Sequence, residues 1–275
     1  MSKNTLETYR SEYAEQIARL TDLRDRRIEQ AFAAIPREDF LPPPPWTTIS
    51  AGIAVQTHDI AGIYDNVLVA IDQGRGINNG EPALHAAWLE AVGPQPGETV
   101  IHVGAGTGYY TAIQARLVEP GGHVEAFEFE ADLAAKAEQN LSGYSNVTVH
   151  AGSAFGRPLP EADVIYVNAG VMAPDVEWLK ALRPGGRLIF PWQPRKGWGP
   201  AVLVRRLSGG FSAKSLMTVG FISCSGAAEK RSKHNFTEAD LAGVRSIWLR
   251  EDRSPDQTAI AVYDQIWFSS AKPGP

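Results

Sequence analysis

Leu6, Tyr9, Tyr13, Ile17 and Leu20 recur at steps of three and four, a spacing that puts one apolar stripe on a helix. Ile28, Phe32 and Ile35 repeat the pattern, so one or two amphipathic helices are expected over roughly residues 5–35, ended by Pro36. The run Pro42–Pro45 forces an extended connection and marks a boundary. Residues 46–80 read as irregular, apart from a strand-like run Val67–Ile71 and a Gly/Asn-rich tip, Gly74–Gly80. Pro82 suits the first turn of a helix whose stripe is Leu84, Trp88, Leu89 and Val92, and Gly93-Pro94 ends it.

From Thr99 the two periodicities alternate. A strand reaches Val103, a glycine loop follows, then a helix from about Tyr110 to Val118, a strand Val124–Phe127 and a helix Asp132–Leu141. Strands at Val147–Val149, Val164–Val167 and Arg187–Phe190 come next, the last two separated by a helix around Asp175–Leu182. Repeated β-α units imply a doubly wound α/β fold, a mostly parallel sheet covered on both faces, with ligands at the carboxyl ends of its strands. After Pro191, Val202–Val204, Gly209-Gly210 and Ser215–Ile222 read as strand, turn, strand. Ala227–His234 is a polar basic stretch read as a solvated loop, Thr237 caps a short helix, and Val244–Leu249 with Ala259–Phe268 forms a closing hairpin. Three segments result: N-terminal helices (1–45), a ligand-binding domain (46–226) and a C-terminal β-rich extension (227–275).

Composition narrows the field of partners. Lysine plus arginine total 26 against 31 acids, a net charge of −5 that gives no reason to expect nucleic acid. The single cysteine, Cys224, forms no internal disulfide and no cysteine metal cluster, which fits a reducing compartment. No apolar run approaches the ~20 residues a bilayer requires, so no membrane contact and a cytoplasmic location are expected. The histidines at 58, 85, 102, 123, 150 and 234 lack metal-ligand spacing, so no metal is expected. The oligomeric state leaves no trace in the sequence.

The chemistry centres on Val100-Ile101-His102-Val103-Gly104-Ala105-Gly106-Thr107-Gly108-Tyr109. Glycines directly after an apolar strand let the chain turn sharply while backbone N–H groups face a ligand. A dinucleotide fingerprint wants glycine at 109, where Tyr stands, and a P-loop wants Gly-Lys-Ser/Thr, which is absent. Glu128 ends the next strand, where a carboxylate can accept both hydrogen bonds of a ribose diol. A nucleoside without a pyrophosphate is suggested.

Together these segments resemble the class I S-adenosylmethionine methyltransferases, and the flanks narrow the resemblance to the protein-L-isoaspartate O-methyltransferase family. The resemblance is carried by RIEQAFAAIPREDFL (Arg27–Leu41), GINNGEPALHA (Gly76–Ala86), VIHVGAGTGYYT (Val100–Thr111), NVTVHAGS (Asn146–Ser153) and LRPGGRLIFP (Leu182–Pro191). It implies a Rossmann-like seven-stranded sheet with an antiparallel last strand, and S-adenosylmethionine as the cofactor. Its methionine part would lie over Gly104, Ala105, Gly106, Thr107 and Gly108, its ribose on Glu128 beside Phe129, its adenine near Ser153 and Ala154, with Asn168 bordering the methyl group. His85 matches a histidine that in some members lies near the cofactor's amino-acid end, the alternative being a packed helix histidine.

Three departures bear on this. His102 stands where most relatives carry an acid, and Ser153 where an aspartate usually accepts from the adenine amino group. The family's substrate loop, G-Q-T-I-S-Q-P, is matched by Gly76-Ile77-Asn78-Asn79-Gly80-Glu81-Pro82, without hydroxyls, making Asn78 and Asn79 the candidate acceptor-side residues. The implied activity is O-methylation of a carboxylate on a peptide or a small molecule. Such an acceptor, with a pKa near ~4, is already ionised and needs no general base. A biosynthetic methyltransferase for a small metabolite, a transfer-RNA base methyltransferase and a non-catalytic cofactor-binding protein are the alternatives.

Overall fold

The computed structural model describes residues 3–194, 197–224 and 236–274. The basic stretch Ala227–His234 lies outside the described residues. In chain order the elements begin with helices α1 (Lys3–Thr21) and α2 (Arg26–Ala34), then strands β1 (Trp46–Ser50), β2 (Ile53–Thr57), β3 (Leu68–Asp72) and β4 (Ile77–Asn78). Helix α3 (Pro82–Val92) precedes β5 (Thr99–Val103), α4 (Tyr109–Val118), β6 (His123–Glu128), α5 (Ala131–Asn140), β7 (Val147–Ala151) and β8 (Ala162–Val167). Next come α6 (Val176–Ala181), β9 (Leu182–Pro191), β10 (Trp198–Leu207), β11 (Gly210–Gly220), α7 (Glu238–Ala242), β12 (Ser246–Leu249), β13 (Ala259–Val262) and β14 (Ile266–Ser269). The chain divides into two compact units, one of residues 1–97, 105–126 and 130–150, the other of 98–104, 127–129 and 151–275.

In the first unit, the expected helical stripe is buried at Tyr13, Ile17, Ile28, Phe32 and Ile35, whereas Leu20 is exposed at the end of α1. Asp25 caps α2 by accepting from the Arg27 N–H, and Pro82 opens α3. The stripe on α3 is wider than its leucines imply, because His85 and Ala86 are buried with Trp88, Leu89 and Val92 while Leu84 is only half-buried. Residues 46–80 are not irregular: β1 and β2 form a hairpin, and the sheet runs β2-β1-β3-β4. A two-residue turn at Ala51-Gly52, with φ of 48° and 79°, supplies the twist a tight hairpin needs. The Thr- and Ser-rich strand β1 hides this pattern from a search for apolar alternation.

In the second unit eight strands run in the order β13-β14-β12-β11-β10-β9-β8-β5. The pairs β5–β8 and β8–β9 are parallel, as the β-α alternation implies. From β9 outward every pair is antiparallel, so the antiparallel part is larger than one last strand. The expected closing hairpin is instead three strands. The turn Tyr263–Gln265 folds Ala259–Phe268 into β13 and β14, and β12 pairs with β14. Thr237 caps α7 through a capping box with Asp240. The extension is core: Ile247, Ile266 and Phe268 join a cluster with Val171 and Trp192, and the Phe268 ring stacks on Trp192 with centroids 4.3 Å apart. Among the described residues no helix is long and apolar enough to cross a membrane.

Candidate functional site

In the second unit the strand ends are tied together by main-chain bonds. Asn168 N–H donates to the Val103 carbonyl (2.7 Å), Gly104 N–H to that of Phe127 (2.9 Å), and Gly152 N–H to that of Glu128 (2.8 Å). Gly104, Glu128, Gly152 and Asn168 are thereby held at the carboxyl ends of neighbouring strands, where a parallel sheet presents its ligand groups. Glu128 is buried at the end of a strand whose preceding residues, Ala126 and Phe127, are buried too. Asn168 has a buried Oδ1 with no hydrogen-bond partner among the described residues. A buried acceptor left unpaired costs about 1–3 kcal/mol, and a ligand donor removes that cost.

Ser153 and Ala154 follow on the loop after β7. The Ser153 hydroxyl accepts from Phe155 N–H (3.0 Å), and the buried Ala154 carbonyl accepts from Trp178 Nε1–H (2.9 Å). The loop is further held by Gly156 N–H on the α6 cap residue Asp175 (2.8 Å). Phe129 is 47% exposed. His102 does not join these groups at the lip. Its ring is fully buried beside Tyr166, edge to face with centroids 5.7 Å apart, and burial drives its pKa down to about 3, so it is neutral at physiological pH. Cys224 also belongs to this unit, where burial pushes its thiol up to about 12 and the Glu128 carboxylate adds to the shift. Among the described residues no group of histidine, cysteine and carboxylate side chains could hold a metal ion.

In the first unit the loop Ala105–Gly108 turns into α4. Gly106 has φ 58°, and a Cβ at this position would meet nothing within 4 Å, so the left-handed backbone and not crowding demands glycine there. The side chain of Thr107 turns back into the fold, its hydroxyl donating to the Phe40 carbonyl (2.6 Å). The Thr107 carbonyl accepts from Asn140 Nδ2 (2.9 Å). Within the loop, Gly108 N–H donates to the Ala105 carbonyl (3.0 Å).

The candidate acceptor-side residues Asn78, Asn79 and His85 lie in the same unit. Asn78 Oδ1 accepts from Gly80 N–H (3.0 Å), which leaves the amide Nδ2 of this half-buried residue to donate. Asn79 is buried: its N–H donates to the Val69 carbonyl (3.0 Å), and its Oδ1 accepts from Val69 N–H (3.2 Å) and Arg37 Nη2 (2.9 Å). His85 is 1% exposed and stacks on Tyr110, centroids 3.7 Å apart, while Tyr110 Oη donates to the Gly80 carbonyl (3.2 Å). A Cβ on Gly80 would meet His85 Nε2 at 2.3 Å, so the loop and the histidine are packed in contact. Asn79 and His85 are therefore packed into the loop's support; the amide Nδ2 of half-buried Asn78 is left to donate, and the buried Nδ2 of Asn79 also has no hydrogen-bond partner among the described residues.

The residue that organises this loop is one that sequence reading passes over. Arg37 is fully buried, and its guanidinium donates to the carbonyls of Ile63 (2.6 Å), Asp65 (3.1 Å) and Val67 (2.7 Å) as well as to Asn79. The rings of Tyr13 and Tyr109 lie 5.8 and 5.9 Å from it. Its neighbour Glu38 is held by Arg10 (2.6 Å) and by the Tyr64 hydroxyl. The signal lies in the Ile-Pro-Arg-Glu string, but a charged residue reads as exposed until its acceptors are seen.

Residues 11–229 match the family described as Protein-L-isoaspartate(D-aspartate) O-methyltransferase. A protein-L-isoaspartate O-methyltransferase of Aeropyrum pernix is 34% identical over 182 residues, 64% of this chain and 64% of that protein. One of Methanopyrus kandleri is 34% identical over 189 residues, covering 66% of this chain and 76% of its own. A solved protein-L-isoaspartate O-methyltransferase superposes with a TM-score of 0.68 at 26% identity, over 79% of this chain and 66% of that one. The chain thus spans slightly less than two thirds of the Aeropyrum protein and of the solved structure.

Proposed function

Because the chain belongs to the protein-L-isoaspartate(D-aspartate) O-methyltransferase family, we propose that it transfers a methyl group from S-adenosylmethionine to a carboxylate, with isoaspartyl residues of polypeptides as acceptors. The observation that carries the reading is the set of strand-end groups Gly104, Glu128 and Asn168, held by three main-chain bonds of 2.7–2.9 Å. Their donor and acceptor character fits the cofactor. The Glu128 carboxylate matches a ribose diol, and the unpaired Asn168 Oδ1 matches an ammonium donor. The neutral, packed His102 contributes no charge, so the ammonium would rest on Asn168 and on main-chain carbonyls. Ser153, already accepting from Phe155, keeps its hydroxyl proton to donate toward adenine.

When bound, the cofactor supplies a methyl group on a positively charged sulfur, open to in-line displacement. The protein's part is to orient the acceptor and to exclude water. Asn78 Nδ2 would donate to one oxygen of the acceptor carboxylate, leaving the other to attack, and Arg37 through Asn79 fixes the loop that carries it. An ionised carboxylate needs no proton removed, in keeping with an acceptor loop that has no titratable residue between Gly76 and Gly80.

The test is incubation with methyl-labelled cofactor and an isoaspartyl peptide, its aspartyl twin, and a panel of small carboxylates. Label on the isoaspartyl peptide that mild alkali releases supports the reading. Label confined to small carboxylates would replace the acceptor class, and no alkali-labile label on any of them would remove carboxyl methylation.

A further inference from the structure

The turn that leads into the candidate acceptor loop is pinned by one exposed arginine. Arg75 stands between Gly74 and Gly76 in the turn joining β3 to β4, three residues before Asn78. Its N–H donates to Asp72 Oδ1 (3.1 Å) and its Nε to Asp72 Oδ2 (2.8 Å), while Gly76 N–H donates to the Gln73 carbonyl (3.2 Å). Asp72 alone therefore closes the turn. The rest of the guanidinium reaches out of the hairpin: Nη1 and Nη2 donate to the two oxygens of Asp132 (3.0 and 2.6 Å), a bidentate fork, and Nη1 also donates to Glu130 Oε2 (3.1 Å). The Arg75 N–H and guanidinium hold the Asp72 carboxyl below the ordinary carboxylate range, and the guanidinium does the same to Asp132.

Both outer carboxylates belong to the start of α5, Glu130 as its N-cap residue and Asp132 in its first turn. At the other end of the same helix, Asn140 Nδ2 donates to the Thr107 carbonyl (2.9 Å), and Leu141 lies against Gly108, where a Cβ would come within 2.7 Å of its Cδ1. With ten residues at 1.5 Å each, α5 is a rod of about 15 Å, seated by the buried Leu133, Ala134 and Ala137. One end of it holds the hairpin that carries Asn78 and the other holds the glycine loop, all within the first unit. The hairpin needs such a hold. Strand β4 is two residues long, and its register on β3 shifts between Ala70 and Asp72, so its own ladder fixes it poorly. Asn78 thus stands between two guanidinium anchors, the buried Arg37 acting through Asn79 on one side and Arg75 on the other.

We propose that Arg75 is a positioning residue for the methyl transfer: by clamping the β3–β4 turn onto the first turn of α5, it sets Asn78 at a fixed place relative to the helix that buttresses the glycine loop. The inference rests on the reading of Asn78 as the donor to the acceptor carboxylate. The side chains of Arg75 and Asp132 are 37% and 62% exposed, so salt screens the clamp and its loss costs the fold little. Its effect falls on acceptor binding, which becomes sensitive to ionic strength.

The test uses the full-length protein as wild type, Arg75→Ala, Asp132→Ala, the double variant and Arg75→Lys. Methylation is followed on the isoaspartyl peptide, or on the small carboxylate that replaces it, with calorimetric titration of S-adenosylhomocysteine and urea unfolding in parallel. Arg75→Ala should raise the acceptor KM roughly three- to tenfold, the scale of two or three exposed ion pairs, with kcat, the Kd for S-adenosylhomocysteine and the unfolding midpoint unchanged. Asp132→Ala should raise KM less, because Glu130 remains, and the double variant should match Arg75→Ala. Arg75→Lys should restore part of the loss, since an ammonium pairs with a carboxylate but cannot fork. At an ionic strength of about 1 M, where the Debye length is about 3 Å, the wild-type KM should meet that of Arg75→Ala in the same salt. An Arg75→Ala KM equal to that of wild type, additive losses in the double variant, or a loss that falls on the cofactor Kd or the unfolding midpoint would overturn the proposal. Wild type that methylates no carboxylate would instead remove the reading of Asn78, and this inference with it.

Discussion

Replacing Arg37 by lysine keeps the positive charge and removes the planar fork, which makes it the sharpest perturbation of the acceptor-side architecture. The guanidinium reaches four oxygens, of Ile63, Asp65, Val67 and Asn79, through its two terminal nitrogens. A single ammonium on a shorter stem cannot serve both arms. At least two bonds from a charged donor are lost, each about 1.5–3 kcal/mol when buried. Partial relaxation of the Ile63–Val67 segment recovers some of this, so the expected loss of stability is roughly 2–4 kcal/mol. Arg37→Met removes the charged donor from all four acceptors, of which Asp65 O and Asn79 Oδ1 keep the Val67 and Val69 N–H groups, and should lose more. Urea unfolding followed by circular dichroism reads the midpoint and slope. Amide exchange at Val69 and Asn79, whose N–H groups close the pair beside Arg37, should accelerate in the same order. A lysine variant within about 0.5 kcal/mol of wild type, a margin typical of neutral surface changes, with unchanged exchange at these two amides, would refute the role given to Arg37.

Two further outcomes follow from the site geometry. Gly106→Ala places a side chain on a backbone with φ 58° and should cost about 1–2 kcal/mol of stability, with weaker S-adenosylhomocysteine binding; an unchanged unfolding midpoint would contradict the assigned conformation. The unfolded chain takes up a proton at His102 below about pH 6.5, which the buried ring refuses until about pH 3. Its contribution therefore falls as pH drops through that window, and wild type should lose roughly 2 kcal/mol more than His102→Gln between about pH 7 and pH 5 in urea titrations; equal losses would show that the ring is solvated.

What is legible in the sequence is what local periodicity encodes. The β-α alternation from Thr99, the Thr237 cap, and the glycine loop with Glu128 two elements later each state their geometry within a few residues. What is not legible depends on distant partners. The β1–β2 hairpin mixes Thr, Ser and Gln with apolar residues that stay exposed on β2, so its strand character comes from the pairing of β1 with β2 and β3 and not from a buried apolar face. Asn79 and His85 read as polar groups available for chemistry, and only Arg37 and Tyr110, 42 residues before one and 25 after the other, turn them inward. The C-terminal strands show their role through Trp192, whose indole donates to the Tyr263 hydroxyl at 3.1 Å and fixes the extension to the sheet.

The most direct test of the central claim, that strand-end groups grip a nucleosyl sulfonium, is calorimetric titration of S-adenosylhomocysteine into wild type, Glu128→Gln and Glu128→Ala. Loss of the charged hydrogen bonds in the alanine variant should weaken binding by roughly 1.5–3 kcal/mol, about 10- to 150-fold in Kd, with glutamine between the two. Tight binding by wild type that is the same in both variants, in proteins whose unfolding midpoints match, would contradict the placement of the ribose and with it the site.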